Sequence, residues 1–302
     1  MNAGRQRPAG PVPLSPVPLG LALLISSRPV SWINTAFPFA AVYLLTTGRI
    51  DAALVVGTLF FLVPYNLMMY GVNDVFDYAS DLANPRKGGM EGALLPPAQH
   101  RRVLVAVAVV ATPFVLALCL LGDPASWLLL AISLFTVLAY SVPGLRFKEI
   151  PFLDSATSSA HFTTPALYAA ALAGTAVTPG FGIVMAAFFL WGMASHAFGA
   201  VQDIVPDRAG GIASIATVLG ARRTVRLAIA LWSAAGLLML AAEWPGPLAG
   251  LLALPYVVAA APYMNIADED SLRTNRGWRR FLTLNYVCGF LVTLLLIRWA
   301  LR

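Results

Sequence analysis

Charge is scarce in this sequence. Asp, Glu, Lys and Arg make up 11% of its 302 residues and apolar types 59%, against about 25% charged in ordinary soluble domains. That excludes a soluble globular protein and leaves an integral membrane protein. Cysteine is scarcer still. Cys119 and Cys288 both lie inside apolar stretches, which excludes a disulfide framework and a thiolate metal site and leaves two small buried hydrophobes. There are three histidines, and neither His161 nor His196 has a second histidine at metal-ligand spacing, so packing roles are expected for both. No short apolar stretch is followed by a cleavage-site pattern, so no removed signal peptide is expected. The net charge of +6 reads as a matter of topology, and nucleic acid is not an expected partner.

What the chain has in quantity is apolar runs of about 20 residues, the length that crosses a bilayer. Nine are candidates: 30–47, 51–72, 103–121, 125–142, 152–173, 182–202, 225–242, 248–266 and 281–299. The expected fold is therefore all-α, with about nine transmembrane helices in one domain over residues 19–302. Residues 1–18, rich in Pro, Gly and Arg, read as a disordered cytoplasmic tail, and 14–27 as a juxtamembrane helix. With the N-terminus inside, only Arg49, Arg298 and Arg302 of the 20 basic residues fall outside. The bias of seventeen to three fixes the orientation and an odd number of spans, and predicts a multi-pass protein of the cytoplasmic membrane.

Two acidic clusters close apolar spans. In the first, Asp74, Asp77 and Asp81 stand at i, i+3 and i+7, within roughly a 60° arc of a helix, with Asn73 on its edge. Two like charges 4 Å apart repel by about 4 kcal/mol at an effective dielectric near 20, so the cluster calls for a counter-charge. The second places Asp203 and Asp207 at i and i+4. Both face the cytoplasm in this topology, and a divalent cation shared with a diphosphate satisfies both, since hard cations take oxygen ligands and share them with substrate phosphates. A solvated acidic helix end explains the first cluster alone but not the pair. Basic residues flank the site: Arg86 and Lys87 follow the first cluster, and Arg146 and Lys148 follow the fourth span. All four also obey the positive-inside rule, but their placement suits diphosphate contact.

Upstream of the first cluster, Asn66, Tyr70, Asn73 and Asp77 follow one another at helical spacing and form a stripe able to line a pocket; for Asn66, hydrogen bonding between helices is the competing role. Tyr70 and Tyr140 are candidates to stabilise cationic carbon with their ring faces. Asp268, Glu269 and Asp270 read as a solvated loop. Asp74 and Asp203 are 129 residues apart, and Asp77 and Asp207 are 130, a spacing that suggests two related four-helix halves.

The run Asn73-Asp74-x-x-Asp77-x-x-x-Asp81, paired with Asp203-x-x-x-Asp207, resembles the two motifs of the UbiA superfamily of intramembrane prenyltransferases, and the likeness extends from Arg28 to the ninth span. A third acidic position that sometimes follows the second motif is Gly211 here. Around the motifs, P-Y-N-L-M-M-Y-G-V-N-D-V-F-D-Y-A-S-D-L-A-N-P-R-K-G-G and H-A-F-G-A-V-Q-D-I-V-P-D look most similar to the lycopene elongases of C50 carotenoid synthesis. The resemblance implies a helical bundle around a central apolar cavity, with Mg²⁺ held by Asp74, Asp77, Asp203 and Asp207 and with Asp81 as a further metal residue, either touching the ion or directly behind its ligands. It implies that Asn66, Tyr70, Asn73, Arg86, Lys87, Tyr140, Arg146 and Lys148 meet substrate. It also implies dimethylallyl diphosphate as donor, lycopene drawn from the bilayer lipid as acceptor, and enzymes of the carotenoid pathway as partners. The same fold acting on an aromatic or quinone-precursor acceptor is the alternative. A cation transporter fits less well, because transport sites sit near the bilayer midplane and these aspartates end their spans.

Overall fold

The computed structural model describes residues 18–83 and 94–301; the expected N-terminal tail, up to residue 17, and Arg86 and Lys87 lie outside them. Among the described residues the chain is helical, with no strand. A short helix α1 (Leu19–Ser26) turns through Arg28 into α2 (Trp32–Thr47). Helices α3 (Ala52–Leu62) and α4 (Pro64–Phe76) form one span with a joint at Val63, and α5 (Tyr78–Ala83) follows. Then come α6 (Pro97–Leu121), α7 (Pro124–Ser141), α8 (Leu153–Leu172) and α9 (Pro179–Val201). The short α10 (Ile204–Ala209) and α11 (Ile215–Leu219) carry the chain to α12 (Ala221–Leu238), the pair α13 (Gly246–Leu251) and α14 (Leu254–Ala260), and α15 (Asn275–Ala300).

Helices cover all nine expected segments, and seven are long and apolar enough to cross a membrane: 52–76, 97–121, 124–141, 179–201, 221–241, 246–263 and 271–300. The chain is a multi-pass membrane protein. Helix α2 has only 16 residues. Helix α8 falls short for another reason: it buries Asp154, Ser155, Thr157, Ser159, His161, Thr163 and Thr164. It packs against α2, α7 and α9, so these groups meet protein instead of lipid, the setting in which polar side chains are tolerated at membrane depth. Helix α6 does the opposite, turning Leu116 and Leu120 outward, 60% and 87% exposed.

The apolar side chains gather in two clusters. One holds Phe39, Phe60, Phe61, Tyr65 and Tyr168, from α2, α3, α4 and α8; the other holds Phe198, Trp232, Tyr256 and Phe281, from α9, α12, α14 and α15. The seam runs between α8 and α9, where Ser159 donates to the Phe189 carbonyl over 2.7 Å. A Cβ on Gly192 would come within 3.2 Å of the Ser159 Cα, so only glycine lets the two backbones approach this closely.

Candidate active site at the ends of the spans

The joint at Val63 decides the fate of Asn66. Pro64 opens α4 without an N–H, which frees carbonyls of α3 from the helical ladder. The Asn66 amide nitrogen donates to the carbonyls of Phe61 and Leu62 at 2.9 and 3.1 Å and to Thr35 of α2 at 2.6 Å. Asn66 is fully buried. The pocket-lining expectation is therefore corrected in favour of the competing one: this carboxamide mends a buried helix break and bonds across to α2.

Beyond Asn66 the stripe reaches the acidic cluster. Asp74, Asp77 and Asp81 are all buried. Helix α4 ends at Phe76 and Asp77 is its C-cap, so the helix is not continuous through the motif; the Asp81 N–H still bonds the Asp77 carbonyl at 2.8 Å, which keeps the helical spacing. Cations from two other segments point at these carboxylates. Arg28 donates to Asp74 at 3.0 Å and lies 4.1 Å over the ring centroid of Tyr70, so one face of that ring is taken by a guanidinium. Lys148 pairs with Asp77, and Arg146 stands 3.7 Å from the same oxygen while also bonding Glu149. Asn73 donates to Asp77 and, over 2.8 Å, to Ser141 at the end of α7. Arg28 and Arg146 both have left-handed backbones, at φ 49° and 42°, a conformation rare outside glycine and concentrated where a site demands it.

Asp203 and Asp207 lie one turn apart across α10, as their spacing predicts, with the Asp207 N–H on the Asp203 carbonyl at 2.9 Å; both are half-buried. Gly211 has φ +72°, so an acidic residue there would pay for a left-handed backbone. The preceding Gln202 accepts from Asn275 over 2.6 Å, tying α9 to α15.

The two motifs share one end of the bundle. Lys148 reaches the first, and six residues on, the fully buried Asp154 accepts from the Ser155 and Ile215 N–H groups at 2.6 and 2.7 Å, Ile215 opening the helix after the second motif. Deeper in, the Tyr140 hydroxyl meets Nε2 of His196 at 3.1 Å, and Nδ1 of His196 meets Ser155 at 3.0 Å. His161 is buried with Nε2 on the Thr136 carbonyl at 3.1 Å, the packing role expected of it. The acidic loop is corrected: Asp268 is half-buried, accepting from the Ala221 N–H at the start of α12 and from Arg208, at 2.6 and 2.7 Å. The helix-start bond, and after it the Arg208 cation, outweigh the upward push of partial desolvation and hold its carboxyl below the usual aspartate range.

Arg28, Asp154 and the bonded pair Tyr140–His196 are the groups that sequence reasoning did not assemble. Each depends on contacts between distant segments, and the only signal available was an arginine at the rim and a carboxylate inside an apolar run. Among the described residues no three His, Cys, Asp or Glu side chains gather into one ready-made metal cluster. The donors are nevertheless hard carboxylate oxygens at two helix ends, linked to the same loop and helix through Lys148 and Asp154, and Mg²⁺ is commonly held by one or two carboxylates while phosphate oxygens and water complete its shell. That donor set fits such an ion.

Residues 35–299 match the UbiA prenyltransferase family. A Dietzia protein named for the biosynthesis of C50 β-cyclic carotenoids is 55% identical over 90% of this chain, which spans 63% of that protein's length. The lycopene elongase/hydratase of Corynebacterium glutamicum is 50% identical over 91% of this chain and 96% of its own. A UbiA homologue from Archaeoglobus fulgidus, solved with DMAPP and Mg²⁺, superposes with a TM-score of 0.63 at 15% identity, covering 88% of this chain and 98% of the other, a likeness of fold. With the family matched from the first long helix to the last, the chain belongs to the UbiA prenyltransferases.

Proposed function

We propose that this enzyme transfers the dimethylallyl group of dimethylallyl diphosphate to a terminal double bond of lycopene, making C45 and C50 carotenoids on the cytoplasmic side of the membrane. The observation that carries the reading is the meeting of Arg28, Arg146 and Lys148 on the buried aspartates of the first motif. Buried carboxylates held by cations from other segments are suited to receive a diphosphate with its counter-ion, and the two curated relatives, named for this carotenoid chemistry, supply the acceptor.

In this reading Asp74, Asp77, Asp203 and Asp207 hold Mg²⁺, with Asp81 beside them. When bound, Mg²⁺ neutralises negative charge that builds on the diphosphate as its bond to carbon breaks. Arg28, Arg146 and Lys148 donate to the same oxygens and favour the departed diphosphate over the esterified one, which is how fixed donors lower a barrier. Arg86 and Lys87 extend that set. Tyr140, and the face of Tyr70 away from Arg28, stabilise positive charge on the prenyl carbon. The apolar helices keep water from the cation until the π electrons of lycopene close the new carbon–carbon bond.

Expression in a lycopene-making host, with mass analysis of the pigments, tests this directly. The expected result is a gain of one or two C5 units, abolished in Asp74→Ala and Asp203→Ala and in membranes stripped of divalent cations. Prenylation of 4-hydroxybenzoate with lycopene untouched would replace the acceptor, and unchanged turnover in either aspartate variant would remove the metal role.

A further inference from the structure

Tyr140, His196 and Ser155 are bonded in series across three helices, α7, α9 and α8, at 3.1 and 3.0 Å. Tyr140 and His196 stay half-buried although helices surround them, so part of each surface is turned to space instead of packed. The charges of Asp154, Asp77 and Arg28 and the hydroxyl of Tyr70 act on Tyr140, and those of Asp154 and Asp203 on His196. The pair thus lies within electrostatic reach of both aspartate motifs. An ionisable group within a span is costly and by default functional, and this one carries a second polar group on either side.

Taking the lycopene reading as given, we propose that the Tyr140–His196 pair accepts the proton that ends the reaction. Once the new carbon–carbon bond has formed, a tertiary carbocation remains, and it must lose a proton from an adjacent carbon. The electron pair of that C–H bond becomes the new double bond. The proton passes to the Tyr140 oxygen as the Tyr140 proton moves to Nε2 of His196, turning a neutral imidazole into an imidazolium. Ser155 accepts the Nδ1–H that leaves Nε2 free to receive, which makes Ser155 a positioning residue. If water adds instead, its oxygen forms the bond to carbon and one of its protons takes the same path. The imidazolium then gives its proton to the departing diphosphate.

The test compares wild type, Tyr140→Phe, His196→Gln and Ser155→Ala in lipid nanodiscs with lycopene, dimethylallyl diphosphate and Mg²⁺. It reads KM for the diphosphate, kcat, and the ratio of alkene isomers to alcohol. General base catalysis contributes about 10²–10⁴-fold, so Tyr140→Phe and His196→Gln are expected to keep KM within about threefold while kcat falls on the order of 100-fold or the product ratio shifts tenfold. Ser155→Ala moves the same readouts less. Wild-type kcat and product ratio in both variants would overturn the proposal, as would a raised KM with unchanged kcat, which would make the pair a binding element. Tyr140→Phe preserves the ring and its packing, so a folded variant is available even if His196→Gln unfolds. A wild-type enzyme that leaves lycopene unmodified strikes at the acceptor itself and thereby at the role built on it.

Discussion

The guanidinium of Arg28 bonds the carboxylate of Asp74 across 3.0 Å, though 46 residues separate them. Asp74 is fully buried and the Arg28 side chain 18% exposed, so the pair lies largely out of solvent, where screening is weak. Arg28 reaches inward from a left-handed turn between α1 and α2, in the position of a gatepost over the first motif. Hydrogen bonds to charged groups are worth about 1.5–3 kcal/mol, and each 1.4 kcal/mol is tenfold in affinity. Arg28→Gln is therefore expected to raise KM for the prenyl diphosphate by about 10- to 100-fold, measured by initial rates in membranes. A KM within twofold of wild type would confine Arg28 to a structural role.

Lys148 and Arg146 approach the same oxygen of Asp77 but not on equal terms. The Lys148 side chain is 13% exposed against 31% for Arg146, and Arg146 is shared with Glu149. Shared, exposed pairs contribute little, about 0–1 kcal/mol. Lys148→Gln is expected to weaken diphosphate binding about tenfold and Arg146→Gln by less than about threefold. Isothermal titration with a non-hydrolysable prenyl diphosphate analogue ranks them, and the reverse order would refute the assignment.

How much of this was legible beforehand follows from what kind of information each feature needs. The spans and both acidic motifs follow from apolar length and from i, i+3, i+4 spacing, which are local. Helix α8 was found at the right place, yet its seven buried polar residues make it fail an apolar-length criterion, because what hides them is neighbouring helices and not lipid. Asn66 was left between pocket and interhelical bond for a related reason: the carbonyls it bonds are freed where the helix breaks at Pro64, which spacing does not show. Asp268 looked like one of three loop acids until α12 brought its N-terminus alongside. Arg28 owes its role to a partner 46 residues away, and Asp154 its tether to one 61 residues away.

Asp154 is the clearest case of a carboxylate whose work is architectural. It holds two backbone N–H groups at 2.6 and 2.7 Å while fully buried, and through Ile215 it pins the segment after the second motif to the start of α8. Removing an acceptor leaves each donor without its bond, at a cost of about 1–3 kcal/mol. Asp154→Ala is expected to lower the melting temperature in detergent by about 5 °C or more, and Asp154→Asn, which keeps one acceptor, by less. Equal melting of wild type and the alanine variant would rule out the tether.

Asp268 provides a prediction in pH. Its carboxyl is held below the ordinary aspartate range, first by the Ala221 N–H and then by Arg208, so the folded form prefers the ionised state more than the unfolded chain does. A depressed carboxylate adds stability above its unfolded pKa, about 3.9, and that addition is lost as pH falls through the folded value. The side chains of Asp268 and Arg208 are 31% and 44% exposed, so the ion pair itself is screened and the effect stays modest, about 1 kcal/mol or less. The melting-temperature difference between wild type and Asp268→Asn is therefore expected to be constant from pH 7 to about pH 5, and to shrink below about pH 4 as the wild-type carboxyl takes up its proton. A difference that grew with acidity would mean that the carboxyl is raised, not depressed, and that the bond to the start of α12 is absent in solution.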